Sequence, residues 1–218
     1  MIETVIIEKA INEIQIQEFG TTKQILEIHE VIYENGKPKV IRVDRENNDG
    51  TAVVYFQITG EKFHLAVWLD TYPKVLVRSV DTENYNSVYL RIVSDHLNFQ
   101  ELASMTKLQP TSGWNKGDVR KSGKSFYNFS ALNFEPNPEP DEFNDKLKKL
   151  LDYIDEDKEG MTNLFGKSYA LIQIATIFHN GNTMLGGHHL DKATIKRISS
   201  YNLEIDFDLY AEGKFFKD

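Results

Sequence analysis

At 218 residues, without a cysteine and with a formal net charge of −8, the chain has room for one large domain or two small ones and cannot form disulfides or thiolate metal sites. The acidity weighs against non-specific nucleic-acid binding and favours a basic protein as partner. Glutamates interrupt MIETVIIEKAINEIQ where a signal peptide has a basic segment and an unbroken apolar run, and Tyr169–Phe178, the most apolar stretch, is about half the length that spans a bilayer. The expectation is a cytoplasmic protein without membrane contact.

The first segment, Thr4–Gln17, sets Val5, Ile6, Ala10, Ile11 and Ile14 on one helical face and Glu3, Glu8 and Glu13 elsewhere, which predicts a helix. β-branched runs then flank Asn35-Gly36, a pair that favours the positive φ of a tight hairpin. A turn is expected at Asn47–Gly50 and a second hairpin around Gly60. In its return strand Phe63, Leu65, Val67 and Leu69 share one face, and His64, Ala66 and Trp68 the other. Another strand follows Pro73. Residues 1–83 therefore read as one helix plus an antiparallel β-meander, with the polar run Asp81–Asn86 as a candidate linker.

Beyond it, SVYLRIVSD reads as a strand and NFQELASMTKL as a short helix capped by Asn98. SFYNFSALNF reads as a strand and EPNPEPDEF as a proline-rich turn. A long helix follows, broken near Gly160, with Phe143, Leu147, Leu150, Leu151 and Ile154 as its apolar stripe. SYALIQIATIFH has the continuous apolarity of a central strand covered on both faces. Asp191 caps a helix in DKATIKRISSYN, and LEIDFDLYAEG is the last strand. The order β-α-β-α-β-α-β over 87–218 predicts an α+β fold, a layer of helices on a mixed or antiparallel sheet.

One stretch, GWNKGDVRKSGKSFYNF, has the cation density and aromatic flanks of a phosphate site: Trp114, Lys116, Gly117, Asp118, Arg120 and Lys121. It lacks G-x-x-x-x-G-K-[ST] and does not lead from a strand into a helix. Gly117-Asp118 and Ser122-Gly123 reverse the chain, so it reads as a turn with Trp114 over a core edge. LQPTSGWNKGDVR, the aromatic strand after it, the acidic DEFNDKLKKLLDYI helix, the FHNGN strand end and LEIDFDLYAEG together resemble a bacterial family, domain of unknown function 4279, over residues 87–212. Trp114, Lys116, Gly117, Asp118 and Asp206-Phe207-Asp208 are its most specific marks. The resemblance implies a small cytoplasmic bacterial α+β domain and brings no catalytic set with it. By analogy of type, such domains look like the immunity partners of secreted toxins.

His179, His188, His189 and Asp191 fall within HNGNTMLGGHHLD. Zinc needs three or four converging ligands, and this spacing matches neither H-E-x-x-H nor H-x-x-x-H. Gly181, Gly186 and Gly187 loosen the loop, so these histidines are expected to cap the next helix or face solvent, with no metal. Alternation in LEIDFDLYAEG places Glu204, Asp206 and Asp208 on one strand face, about 7 Å apart in succession, near the separation glycosidases use. A solvated strand face gives the same pattern, and no sugar platform accompanies it. With no G-x-S-x-G and no glycine-rich dinucleotide fingerprint, neither catalysis nor a cofactor is expected.

The charge is uneven. Between Glu135 and Glu159 ten acids face four lysines, a balance of −6, densest in DYIDEDKEG. A solvated helix face accounts for this, and so does a docking surface for a cationic partner. The leading reading is a non-enzymatic, immunity-type protein that masks a toxin's active site. Its expected contacts are Asp152, Asp155, Glu156, Asp157 and Glu159, then Glu204, Asp206 and Asp208, with Trp68 or Tyr72 as an aromatic anchor. The rival reading is an enzyme, or a small-ligand or metal-binding protein, with a pocket between the halves near His179, His188 and Trp114.

Overall fold

The computed structural model of the chain describes residues 2–46, 49–181 and 187–217. Helix α1 (Ile2–Ile16) buries Ile6, Ala10 and Ile14 as its periodicity requires, and it also buries Glu13. The next element explains the glutamate. Gln17 takes a φ of 56° and ends α1, and a helix that sequence periodicity did not reveal, α2 (Gly20–Ile28), follows. Its N-cap residue, Phe19, has no side chain able to cap. Glu13 Oε1 ties the start of the helix to α1 instead, accepting from the Phe19 N–H at 3.2 Å and from Thr22 Oγ1 at 2.6 Å. A buried carboxylate is tolerable when its lone pairs are met in this way.

Strands β1 (Tyr33–Glu34) and β2 (Lys37–Pro38) close on Asn35 and Gly36 at φ 53° and 76°, the predicted hairpin. The antiparallel meander is β3 (Val40–Asp44), β4 (Thr51–Gln57), β5 (His64–Asp70) and β6 (Leu76–Glu83), paired in chain order. Of the turn expected at Asn47–Gly50, the first two residues lie outside the described ones. The two faces of β5 are as predicted. Phe63, Leu65, Val67 and Leu69 join α1 and α2 in one core, and Ala66 and Trp68 pack with Val53 and Tyr55 on the reverse.

Residues 81–86, polar enough to suggest a linker, instead end β6 and begin β7 (Tyr85–Ser94). Then come α3 (Phe99–Ala103), β8 (Ser112–Trp114), β9 (Ser130–Phe134), α4 (Phe143–Asp155), α5 (Lys158–Phe165), β10 (Tyr169–His179), α6 (Lys192–Ser200) and β11 (Glu204–Glu212). The second sheet has the order β11-β10-β7-β9-β8. Among the described residues only β10–β11 is parallel, and α6 lies in its crossover. The fold is α+β.

The break expected near Gly160 falls a few residues earlier, at Glu156–Asp157, where the Asp157 carboxylate accepts from the Gly160 N–H at 3.2 Å and starts α5. A Cβ at Gly160 would collide with that carboxylate. The strand in SFYNFSALNF shrinks to β9, because a Val119–Phe126 bridge closes the preceding residues into a turn.

One face of the second sheet is covered by helices. Leu90, Ile92, Leu132, Phe134, Ile172 and Ile174 meet Leu147, Leu150, Leu151, Ile154, Met161 and Leu164, each such side chain contributing about 1.5–3 kcal/mol by leaving water. Strand β10 is interior, as its apolarity predicts, and it serves both cores. Ile172 and Ile174 lie in the second, while Ile177 lies in the first.

Candidate functional site

Each expected contact residue has a definite place. Asp152 is exposed and ion-paired to Arg197 at 2.7 Å. Asp155 is half-buried and bonded to Arg197 and the Tyr201 hydroxyl, with Lys158 at 3.4 Å. Burial alone would raise its pKa, but the hydrogen bonds from Tyr201 and Arg197 outweigh it and hold the carboxyl low. Asp157 is buried, accepting from the Lys107 N–H at 2.7 Å and Thr106 Oγ1 at 2.8 Å besides capping α5. The first of these bonds is the largest cause of its lowered pKa. Glu156 and Glu159 are exposed. The densest acidic run therefore contains one structural cap and one internal ion-pair centre.

Two of the lysines of this region are engaged within the fold, while Lys148 and Lys158 are exposed. Lys146 is 2% exposed, donates to the Asn137 carbonyl at 2.8 Å, and is lowered to about 8 by burial. Lys149 bridges Glu46 at 2.8 Å and Asp141 at 3.0 Å. Arg42 reaches Asp141 at 3.0 Å and the Pro140 carbonyl at 2.9 Å, clamping the first sheet to the start of α4. Because Asp141 and Asp157 are buried as well as Lys146, the outer surface keeps most of the acidic excess of the run but no more than the residue count suggests.

On β11, Glu204, Asp206 and Asp208 share the face predicted from alternation, and all three are exposed. Glu204 accepts from the Tyr169 hydroxyl at 2.7 Å and Asp208 from Gln173 Nε2 at 3.1 Å. Among the described residues none of the three is ion-paired. Phe207, Leu209 and Tyr210 beside them are 40%, 59% and 50% exposed.

The histidines part company. His179, at the end of β10, meets His29. His188 bonds Thr176 Oγ1 at 2.9 Å and lies between Phe143 and Phe207, with ring centroids 4.0 and 5.6 Å away. His189 is exposed, Asp191 caps α6, and Gly186 lies outside the described residues. No group of three or more histidines and carboxylates is arranged to hold a metal among the described residues. Trp114 stacks on Tyr127 at 4.3 Å, with Arg120 5.1 Å from the Tyr127 ring. Asp118 accepts from the Asn115 N–H at 2.7 Å, and Lys116 donates to the Asp95 carbonyl. The basic stretch is a turn braced by its own residues.

The pocket that the rival reading expects between the halves has a counterpart in a shallow cleft of about 250 Å³ that includes His188 but not His179 or Trp114; sequence reasoning missed its other walls, Glu83, Asn84, Glu142 and Phe143 among them. Burial first, then the Glu142 carboxylate, push Glu83 up to about 8. Asn84 Oδ1 is buried there without a partner. Neither Glu83 nor Glu142 lies in a motif, and only the meeting of β6 with α4 brings them together.

The family model described as Domain of unknown function (DUF4279) matches residues 83–212, the span from the end of β6 through β11. No curated protein and no solved structure matches the chain.

Proposed function

We propose, for a chain that belongs to the Domain of unknown function (DUF4279) family, a non-catalytic role as an immunity-type binding protein of the bacterial cytoplasm. Its acidic surface covers the active site of a basic toxin domain, blocking it by steric and electrostatic means, with no cofactor. The observation that carries this reading is β11, where Glu204, Asp206 and Asp208 stand exposed and without ion pairs among the described residues, beside exposed Phe207 and Leu209. Unpaired like charges next to apolar surface repel one another until a basic partner covers them, and they also accelerate its encounter. Glu156 and Glu159 extend the negative field, whereas Asp155 and Asp157 serve the fold.

The test is affinity capture from the native host, followed by a titration of the captured protein. A basic polypeptide should bind the wild-type chain and bind the Asp206→Lys/Asp208→Lys variant more weakly by at least ~10-fold. Unchanged affinity in that variant sinks the reading. A ligand site in the junction cleft is the second reading, favoured by the unpartnered Asn84 Oδ1 beside Glu83. Amine-bearing small molecules that shift the resonances of Asn84 would support it.

A further inference from the structure

Strand β11 ends its sheet. It pairs with β10 on one side and with nothing on the other among the described residues. It runs nine residues with no shift of register. Edge strands of that length are normally blunted by a lysine, a proline or a bulge, because an unpaired row of N–H and C=O groups invites another chain. EIDFDLYAE contains no lysine and no proline.

One hydrogen bond orients the backbone. The Asn180 N–H donates to the Glu212 carbonyl at 2.8 Å, so Glu212 turns its main chain toward β10. Alternation along a regular strand then turns Glu204, Asp206, Asp208 and Tyr210 the same way. Ile205, Phe207, Leu209 and Ala211 direct their N–H and C=O groups outward.

We infer that β11 receives an extended segment of the partner protein as an added strand, one in which Lys or Arg alternates with apolar residues. This rests on the basic-partner reading above and specifies how that partner docks. Its cations meet Glu204, Asp206 and Asp208 on one face, and its apolar residues meet Phe207 and Leu209 on the other. Charge decides against a second copy of this chain. An antiparallel β11 pair centred on Asp208 sets Asp208 against Asp208 and Glu204 against Glu212, and like charges in direct opposition destabilise a ladder.

The test uses the full chain at low salt and two end-blocked peptides of about eight residues, one alternating Lys and Val, the other with the same residues in two blocks. Hydrogen exchange read by NMR should show the Phe207 and Leu209 amides slowed at least ~10-fold by the alternating peptide. The Asp206 and Asp208 amides, already in the β10 ladder, should change little. The block peptide should bind at least ~5-fold more weakly. Leu209→Pro removes an outward N–H and should abolish the protection, with amide protection in β7 and β10 reporting that the variant is folded. Equal binding of both peptides with no slowing at Phe207 and Leu209 overturns strand addition yet leaves a basic partner standing. Failure of both peptides to bind overturns strand addition, and the basic-partner reading is then judged on the captured protein alone.

Discussion

His29 and His179, 150 residues apart in sequence, meet Nε2 to Nε2 at 2.9 Å inside the first core. The two residues are 4% and 1% exposed, and their rings pack against Phe63 and, for His179, Phe216. Glu61 lies 3.8 Å from His29 Nδ1, and Lys214 donates to the adjacent Ile28 carbonyl at 2.9 Å. One imidazole donates and the other accepts, so the bond exists with both rings neutral.

Acid should therefore loosen this junction. Burial first, then Lys214, lowers the His29 pKa; burial first, then His29, lowers that of His179, with Glu61 and Asp81 opposing. The fold prefers the neutral forms. Their contribution to stability is complete above the ordinary value of 6.5 and is lost as pH falls below it. These histidines pull the urea midpoint down between pH 7.5 and pH 5, with His64, lowered to about 4, and His188 acting in the same sense and Glu83 in the opposite one. His29→Gln/His179→Gln should remove part of that pull, so its midpoint should fall less, or rise more, than the wild type's over this interval. An identical slope in the double variant contradicts the assignment.

Glu83 should act with the opposite sign. Its folded pKa of about 8 lies above its ordinary value of 4.5, so its contribution is present below that value and is lost as pH rises through 8. Glu83→Gln should stabilise the protein at pH 9 by on the order of 1 kcal/mol and change little at pH 4. Urea titrations at the two pH values read this directly.

Arg197 should hold α6 on α4 through Asp152 and Asp155. Both ends are partly solvated, so a double-mutant cycle of Arg197→Ala with Asp155→Ala should return a coupling of about 1 kcal/mol, smaller in high salt. Arg197→Ala alone should strengthen binding of a basic partner several-fold, since it frees two carboxylates. Weakened binding would place the partner on a different surface.

Gly113 should not tolerate a side chain. A Cβ there would run into the Ala131 carbonyl oxygen and lie 2.5 Å from the Phe99 ring. Gly113→Ala should cost about 2 kcal/mol or more by pushing β8 off β9 and α3, measured by chemical denaturation.

What was legible in the sequence is local. The Asn35-Gly36 hairpin, the two faces of β5 and the caps Asn98 and Asp191 depend on residues within a few positions. Helix α2 was hidden because no capping residue precedes it and its start is tied down by Glu13, inside the preceding helix. The acidic run was legible as composition, but not the fate of each acid. Asp157 is engaged by the Lys107 N–H fifty residues earlier, and Asp155 by Arg197 forty-two residues later. The carboxylates of β11 were placed correctly, since period two settles which side chains share a face. Glu83 and Glu142 carry no local signature, because their shared environment exists only once the halves are joined.

Ile177 and Phe216 belong to the hydrophobic cluster built mainly from residues before 81. A ribosome therefore releases the first meander long before it makes the pieces that seal it. The nascent N-terminal portion emerges with an open apolar seam beside Phe63, exposed to chaperones and proteases until Phe216 has followed it out. Deleting the residues from Gly213 onward should wound a part of the molecule made far earlier.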